Sequence, residues 1–306
     1  AGHAEGAIED FREVVRVEPK NVMAWERIAA LSRATGNIEA AEEAIGKALA
    51  VQPNRLVSRR ERGLLRVARG DWTGALEDLD AVLGTRPDDL EALSGRAAVW
   101  RGLGDPERAQ EDEGRAATAR GTEAKALCER SAEKLGKGDL AGAATDASRA
   151  IELMPEEAAG YLRRAAVRSA MKEHDGAAAD CDAAIRLGAE GTLPFTIRAA
   201  ARLAKGDFAG AIDDYGEVLR QEPKSAVAYH NRGRAWHEAK DYDRAIADYG
   251  EAIRRSPRMP EAWANLGRAR RDKGDPEAAR SYFKTCLEVA PPDWAFRKTV
   301  EGWIVE

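Results

Sequence analysis

Alanine returns at a fixed interval along this chain. Ala7, Ala41, Ala75, Ala109, Ala143, Ala177, Ala211, Ala245 and Ala279 lie 34 residues apart, nine in succession. A period of that length, free of insertion or deletion, constrains the fold more than any other feature. It implies one supersecondary unit repeated, each copy burying its apolar face against its neighbours rather than around one centre. Small residues keep the same interval at Ala29, Gly63, Ala97, Ser131, Ala165, Ala199, Gly233 and Gly267. Prolines follow it at Pro19, Pro53, Pro87, Pro155, Pro223, Pro257 and Pro291, with Gly121 and Ala189 in the two gaps.

Counted from Val22, the period gives eight whole repeats, the last ending at Asp293. Residues 1–21 read as the second helix of a truncated preceding repeat. Residues 294–306, "WAFRKTVEGWIVE", read as the first helix of a following repeat or as a capping helix. The chain is therefore expected to be a piece of a longer protein.

Each repeat is predicted to form two helices. In the last, Trp263, Leu266 and Gly267 make an apolar stripe, and Ala279, Phe283, Cys286 and Leu287 make a second at i, i+4, i+7, i+8. Between them stands Gly274-Asp275: glycine ends one helix in the left-handed conformation, and aspartate caps the next. The junction recurs at Gly36-Asn37, Gly70-Asp71, Gly104-Asp105, Gly138-Asp139 and Gly206-Asp207. Composition agrees, since a third of the residues are charged and aromatics are only 6%.

Trp263-x-x-Leu266-Gly267, Ala279-x-x-x-Phe283 and Pro291 resemble the tetratricopeptide-repeat pattern, and the likeness runs the length of the chain. The resemblance implies an all-α fold, a right-handed superhelical solenoid of antiparallel helix pairs. It further implies that the first helix of each pair lines a concave groove, and that the groove binds peptides or proteins without catalysis.

One departure from that family is itself periodic. Arg62, Arg96, Arg130, Arg164, Arg198 and Arg232 stand where the family usually has leucine, inside the apolar stripe. A charge there needs a partner. Asp78, Asp112, Asp146, Asp180, Asp214 and Asp248 follow sixteen residues later, and the two repeats without the arginine have Ala44 and Tyr282 instead. Six bridges within repeats are predicted. The third repeat is also predicted to be soft near residues 107–123, because Glu113, Ala116 and Ala117 occupy core places.

Several functions are disfavoured. Acids and bases nearly balance at a net charge of −5, which does not suit a nucleic-acid binder. No apolar run approaches the ~18 residues of a membrane span. Cys128, Cys181 and Cys286 are odd in number and far apart, which fits a reducing, cytoplasmic setting and no disulfide framework. "GKGDLAG" (136–142) has the wrong glycine spacing for a phosphate loop, and "HEAKD" (237–241) has Asp241 where a zinc-protease motif needs histidine. No catalytic constellation, metal site or cofactor is expected.

The face of each first helix opposite its packing stripe would line the groove. Its middle is small and apolar, with Leu162, Ile197 and Leu203 and with Arg163 at the edge. Its C-terminal part is polar and cationic: His230, Asn231, Arg234, His237, Asn265, Arg268 and Arg271. Such a wall suits an extended, acidic-to-apolar segment, with amides bonding its backbone and guanidiniums its carboxylates. The family's carboxylate clamp for chaperone tails is incomplete: Asn231 and Asn265 match its asparagines, but Thr196, Ala200, Glu261 and Ala295 hold the other places. Two alternatives accompany the scaffold reading. The chain is the recruiting arm of a larger enzyme, such as a signalling kinase or glycosyltransferase, or it self-associates end to end through the aromatic Trp294, Phe296 and Trp303.

Overall fold

A computed structural model describes residues 2–305 of the chain. All seventeen regular elements among them are α-helices. Backbone contacts divide the chain into two compact units, residues 1–123 and 124–306.

The first unit contains α1 (Gly2–Val17), α2 (Val22–Ala34), α3 (Ile38–Val51), α4 (Leu56–Arg69), α5 (Trp72–Thr85) and α6 (Leu90–Leu103). Consecutive helices pack together, and the first helices of successive repeats also touch, α2 with α4 and α4 with α6. Ile28, Ile45, Leu49 and Leu65 form one apolar cluster. Leu79, Val82, Leu93 and Val99 form the next.

The second unit contains α8 (Leu140–Leu153), α9 (Ala158–Ala170), α10 (His174–Arg186), α11 (Leu193–Ala204), α12 (Phe208–Gln221), α13 (Ala226–Glu238), α14 (Tyr242–Arg255), α15 (Pro260–Asp272), α16 (Pro276–Val289) and α17 (Arg297–Val305). Here too first helices touch, α9 with α11 and α13 with α15. The large second-helix side chains pack against the small periodic positions of the first helix. A methyl group on Gly233 would stand 2.9 Å from Cδ1 of the buried Tyr249 ring, so glycine is what lets the two helices approach. Gly267 stands in the same relation to Phe283.

The turns form as their chemistry dictates. Gly70, Gly138 and Gly206 have φ of 76°, 80° and 81°. The aspartates that follow cap the next helix: Asp71, Asp139 and Asp207 accept from the amides of Gly74, Gly142 and Gly210 at 3.0, 2.9 and 2.9 Å. In two repeats lysine takes the left-handed place, Lys172 at 61° and Lys240 at 63°, at a cost of about 1–2 kcal/mol each.

One expected turn is missing. The second helix of the third repeat and the first helix of the fourth run together as α7 (Pro106–Gly136), and the division between compact units falls inside it. The cause is local. The periodic proline is replaced by Gly121, a residue that keeps its amide, so the helical ladder continues. The last helix also starts later than expected, at Arg297 rather than Trp294.

All six arginine–aspartate bridges are present. Arg62 reaches Asp78 at 2.7 and 2.7 Å, Arg96 reaches Asp112 at 2.8 and 2.7 Å, and Arg130 reaches Asp146 at 2.7 and 2.6 Å. Arg164 reaches Asp180 at 2.9 and 2.7 Å, Arg198 reaches Asp214 at 3.0 and 2.5 Å, and Arg232 reaches Asp248 at 2.8 and 2.8 Å. The carboxylates are 1–6% exposed. Most have a second cation, one helical turn after the first: Arg66 on Asp78, Lys134 on Asp146, Arg168 on Asp180 and Arg202 on Asp214, at 2.7–2.8 Å. In the two remaining repeats that place holds Trp100 and Trp236, whose rings carry Arg108 at 4.7 Å and Arg244 at 4.5 Å.

Candidate functional site

The helix α13 uses its two sides differently. Arg232 turns toward α14 and its aspartate, while His230 and His237 turn toward α15. His230 is buried, and the amide Nδ2 of Asn265 donates to its Nε2 at 2.9 Å. Burial, with Arg234 beside it, pushes its pKa down to about 4. Its ring is therefore neutral near pH 7 and free to accept. Nε2 of His237 lies 2.9 Å from Oδ2 of Asp272, and its ring meets Tyr242 edge-on at 5.5 Å. The two histidines thus tie neighbouring repeats together.

Beyond these ties lies a pocket of about 350 Å³. It is lined on one side by His230, Arg234, Asn265 and Arg268, and on the other by Trp294, Phe296, Val300 and Trp303. Glu261 and Ala264 complete it. Glu261 is occupied, since its Oε1 accepts from Nε1 of Trp294 at 3.0 Å. Arg268 donates to Oδ1 of Asn265 at 3.3 Å. Among the described residues no carboxylate lies within ion-pair distance of Arg234 or Arg268. Both Arg268 and Arg271 lie 5.8 Å from the centre of the Trp303 ring, which packs in turn on Phe283 at 5.4 Å. Phe296 is left 59% exposed.

A second pocket, of about 420 Å³, is lined by Ala200, Leu203, Phe208, Tyr215, Arg234 and Glu238, among others. Arg234 stands on the rim of both.

The sequence-derived residues therefore separate. His230, Arg234, Asn265 and Arg268 come together at the first pocket, and Leu203 joins Arg234 at the second. Arg271 lies against the aromatic wall. Asn231, Leu162 and Arg163 are half-buried and line neither, and Nε of Arg163 is buried without a hydrogen-bond partner. Ile197 belongs to the core instead, packed with Ala165, Ala177, Cys181 and Ala201, whose small side chains leave the room it fills. What sequence reasoning missed is the aromatic wall. Trp294 and Trp303, expected to serve end-to-end self-association, are half-buried and face the polar residues of α13 and α15. The signal available was three aromatics within ten residues of the last segment.

The corresponding stripe in the first unit is partly satisfied internally, although the exposed Arg27 on it pairs with no carboxylate among the described residues. Glu26 accepts from Arg55 at 2.6 and 2.9 Å and from the Ser58 hydroxyl at 2.7 Å, and Arg33 pairs with Glu61 at 3.0 Å. Among the described residues no group of three His, Cys, Asp or Glu side chains could hold a metal ion, and no helix is long and apolar enough to cross a membrane. The three cysteines are free thiols, and burial raises the pKa of each.

Sequence models described as tetratricopeptide repeat match residues 28–99, 198–251 and 241–293. Among solved structures, a crystal structure of MamA is similar at 22% identity and a TM-score of 0.51, over 55% of this chain and 92% of that one. MamA from Desulfovibrio magneticus RS-1 is similar at 17% identity and 0.52, over 55% and 94%. YrrB, described as a TPR protein with an unusual peptide-binding site, is similar at 16% identity and 0.51, over 57% and 90%. At these identities the likeness is one of fold. No curated protein matches the sequence.

Proposed function

The chain belongs to the tetratricopeptide-repeat family, and we propose that it is a non-catalytic scaffold whose first-helix face holds an extended segment of a partner protein. The observation that carries this reading is a contrast in how charge is used. In the bridges between paired helices, and for Arg33 and Arg55 in the first unit, arginines are matched by carboxylates of the same chain. On α13 and α15, Arg234 and Arg268 have none among the described residues, and they border two open pockets. Cations so placed await carboxylates from elsewhere. YrrB, a protein of the same fold described as having a peptide-binding site, is a precedent for the class of ligand. The three separate free thiols favour a cytoplasmic setting.

A displayed library of random linear peptides, panned on the purified chain, tests the reading. Peptides that compete with one another and crosslink to α11, α13 or α15 are the expected result. No enrichment at all, or crosslinks confined to the second helices, would refute it.

A further inference from the structure

The pocket between α13, α15 and the segment leading into α17 joins two surfaces of unlike chemistry. One is the aromatic wall of Trp294, Phe296 and Trp303; the other carries the guanidiniums of Arg234 and Arg268. Each class of occupant can be weighed against that pair. An aromatic box alone would suit a quaternary ammonium, but Arg268 and Arg271 already stand over the Trp303 ring and repel a second cation. A wholly apolar occupant would cover the arginines and strip them of water with nothing in return. A bare anion would leave the aromatic wall unused. An occupant with a carboxylate and a bulky apolar group satisfies both walls, and Glu261 steers the carboxylate away from its own side toward the arginines.

Size narrows the choice further. About 350 Å³ is the low end for a ligand site, enough for one large side chain and a neighbouring polar group. In an extended chain alternate side chains share a face, roughly 6.6 Å apart, so the two groups should be separated by one residue.

Resting on the peptide-binding reading above, we propose that this is its specificity pocket, and that it selects an acidic residue and a bulky apolar residue with one residue between them. The apolar side chain packs against Phe296 and Trp303, and the carboxylate is held by Arg234 and Arg268.

The test uses the full chain and the peptides enriched from the random library, their affinities measured by fluorescence anisotropy. The expected result is a shared acidic-x-apolar pattern, with affinity falling about tenfold or more in Phe296→Ala and in Arg234→Gln/Arg268→Gln. Phe296 is mostly exposed, so its truncation leaves folding intact, and circular dichroism checks this for both variants. Panning on Arg234→Glu/Arg268→Glu should turn the preference to a basic residue beside the apolar one. Enriched peptides without an acidic residue, or with affinities within about twofold in both variants, overturn the pocket while leaving peptide binding in place. A library without binders overturns both.

Discussion

The repeat whose aspartate has a single cation, Asp248, should be far more sensitive to its loss than those with two. In the repeat of α13 and α14, Asp248 is gripped by Arg232 at 2.8 Å, and Trp236 occupies the place of the second cation. Arg232→Leu strands a carboxylate that is 6% exposed. Removing one partner of a buried pair costs about 3–5 kcal/mol; the arginine is itself a quarter exposed, which puts the cost near 3. In the repeat of α9 and α10, Asp180 keeps Arg168 at 2.7 Å when Arg164 is removed. Arg164→Leu then forfeits charged hydrogen bonds without stranding the charge, about 1.5 kcal/mol. The gap of about 1.5 kcal/mol is roughly a tenfold difference in the local opening equilibrium. Amide hydrogen exchange reads that equilibrium repeat by repeat. The double substitution Arg232→Leu/Asp248→Leu should recover about 2 kcal/mol over Arg232→Leu, because no charge is left unpaired. Equal costs for the two arginines, or a double variant no more stable than the single one, would refute this reasoning.

Gly233→Ala should destabilise by about 1–2 kcal/mol in urea unfolding, because its methyl meets the buried Tyr249 ring, whereas Gly250→Ala, with open space around it, should stabilise by about 0.5–1 kcal/mol. His230 should titrate in proton NMR with a midpoint near 4, and a midpoint in the ordinary range would show that it is not buried as described. Its sign is set by burial of the neutral form. Above the ordinary 6.5 its contribution is whole; between 6.5 and about 4 only the unfolded chain takes the proton, so stability falls with falling pH by up to about 3 kcal/mol. Residues 107–123 should exchange amide hydrogens sooner than α5, since Ala109, Ala116 and Ala119 are the only buried apolar side chains there; equal protection would count against a soft third repeat.

What is legible in the sequence follows from what is periodic. The arginine ladder can be read to the individual pair because both partners keep the same interval and vanish together in two repeats. The second cations at 66, 134, 168 and 202 lie on the same period, and their role emerges only once the side chains are seen to converge on one carboxylate. The loss of a proline near residue 121 is visible, but whether a turn survives there depends on the balance between a glycine and its helical neighbours, and the helix wins. The first-helix face is legible as a stripe on α13 and α15. The aromatic wall opposite is not, because it lies in the last segment, where no further copy sets the register, and a turn precedes α17.

The ladder has a consequence for how such a chain can change length. Every arginine finds its aspartate sixteen residues on, inside its own repeat. A tandem duplication or loss of one whole repeat, cut at its boundaries, therefore carries both members of a pair or neither, and leaves no buried carboxylate orphaned. The links from His230 to Asn265 and from His237 to Asp272 lack that immunity, because they span 35 residues and join different copies. The buried arginine–aspartate pairs can be copied as units, with the exposed Asp80 and the half-buried Asp182 reaching a ladder arginine of the next repeat. The neighbourhood of the pocket depends on its two repeats staying adjacent.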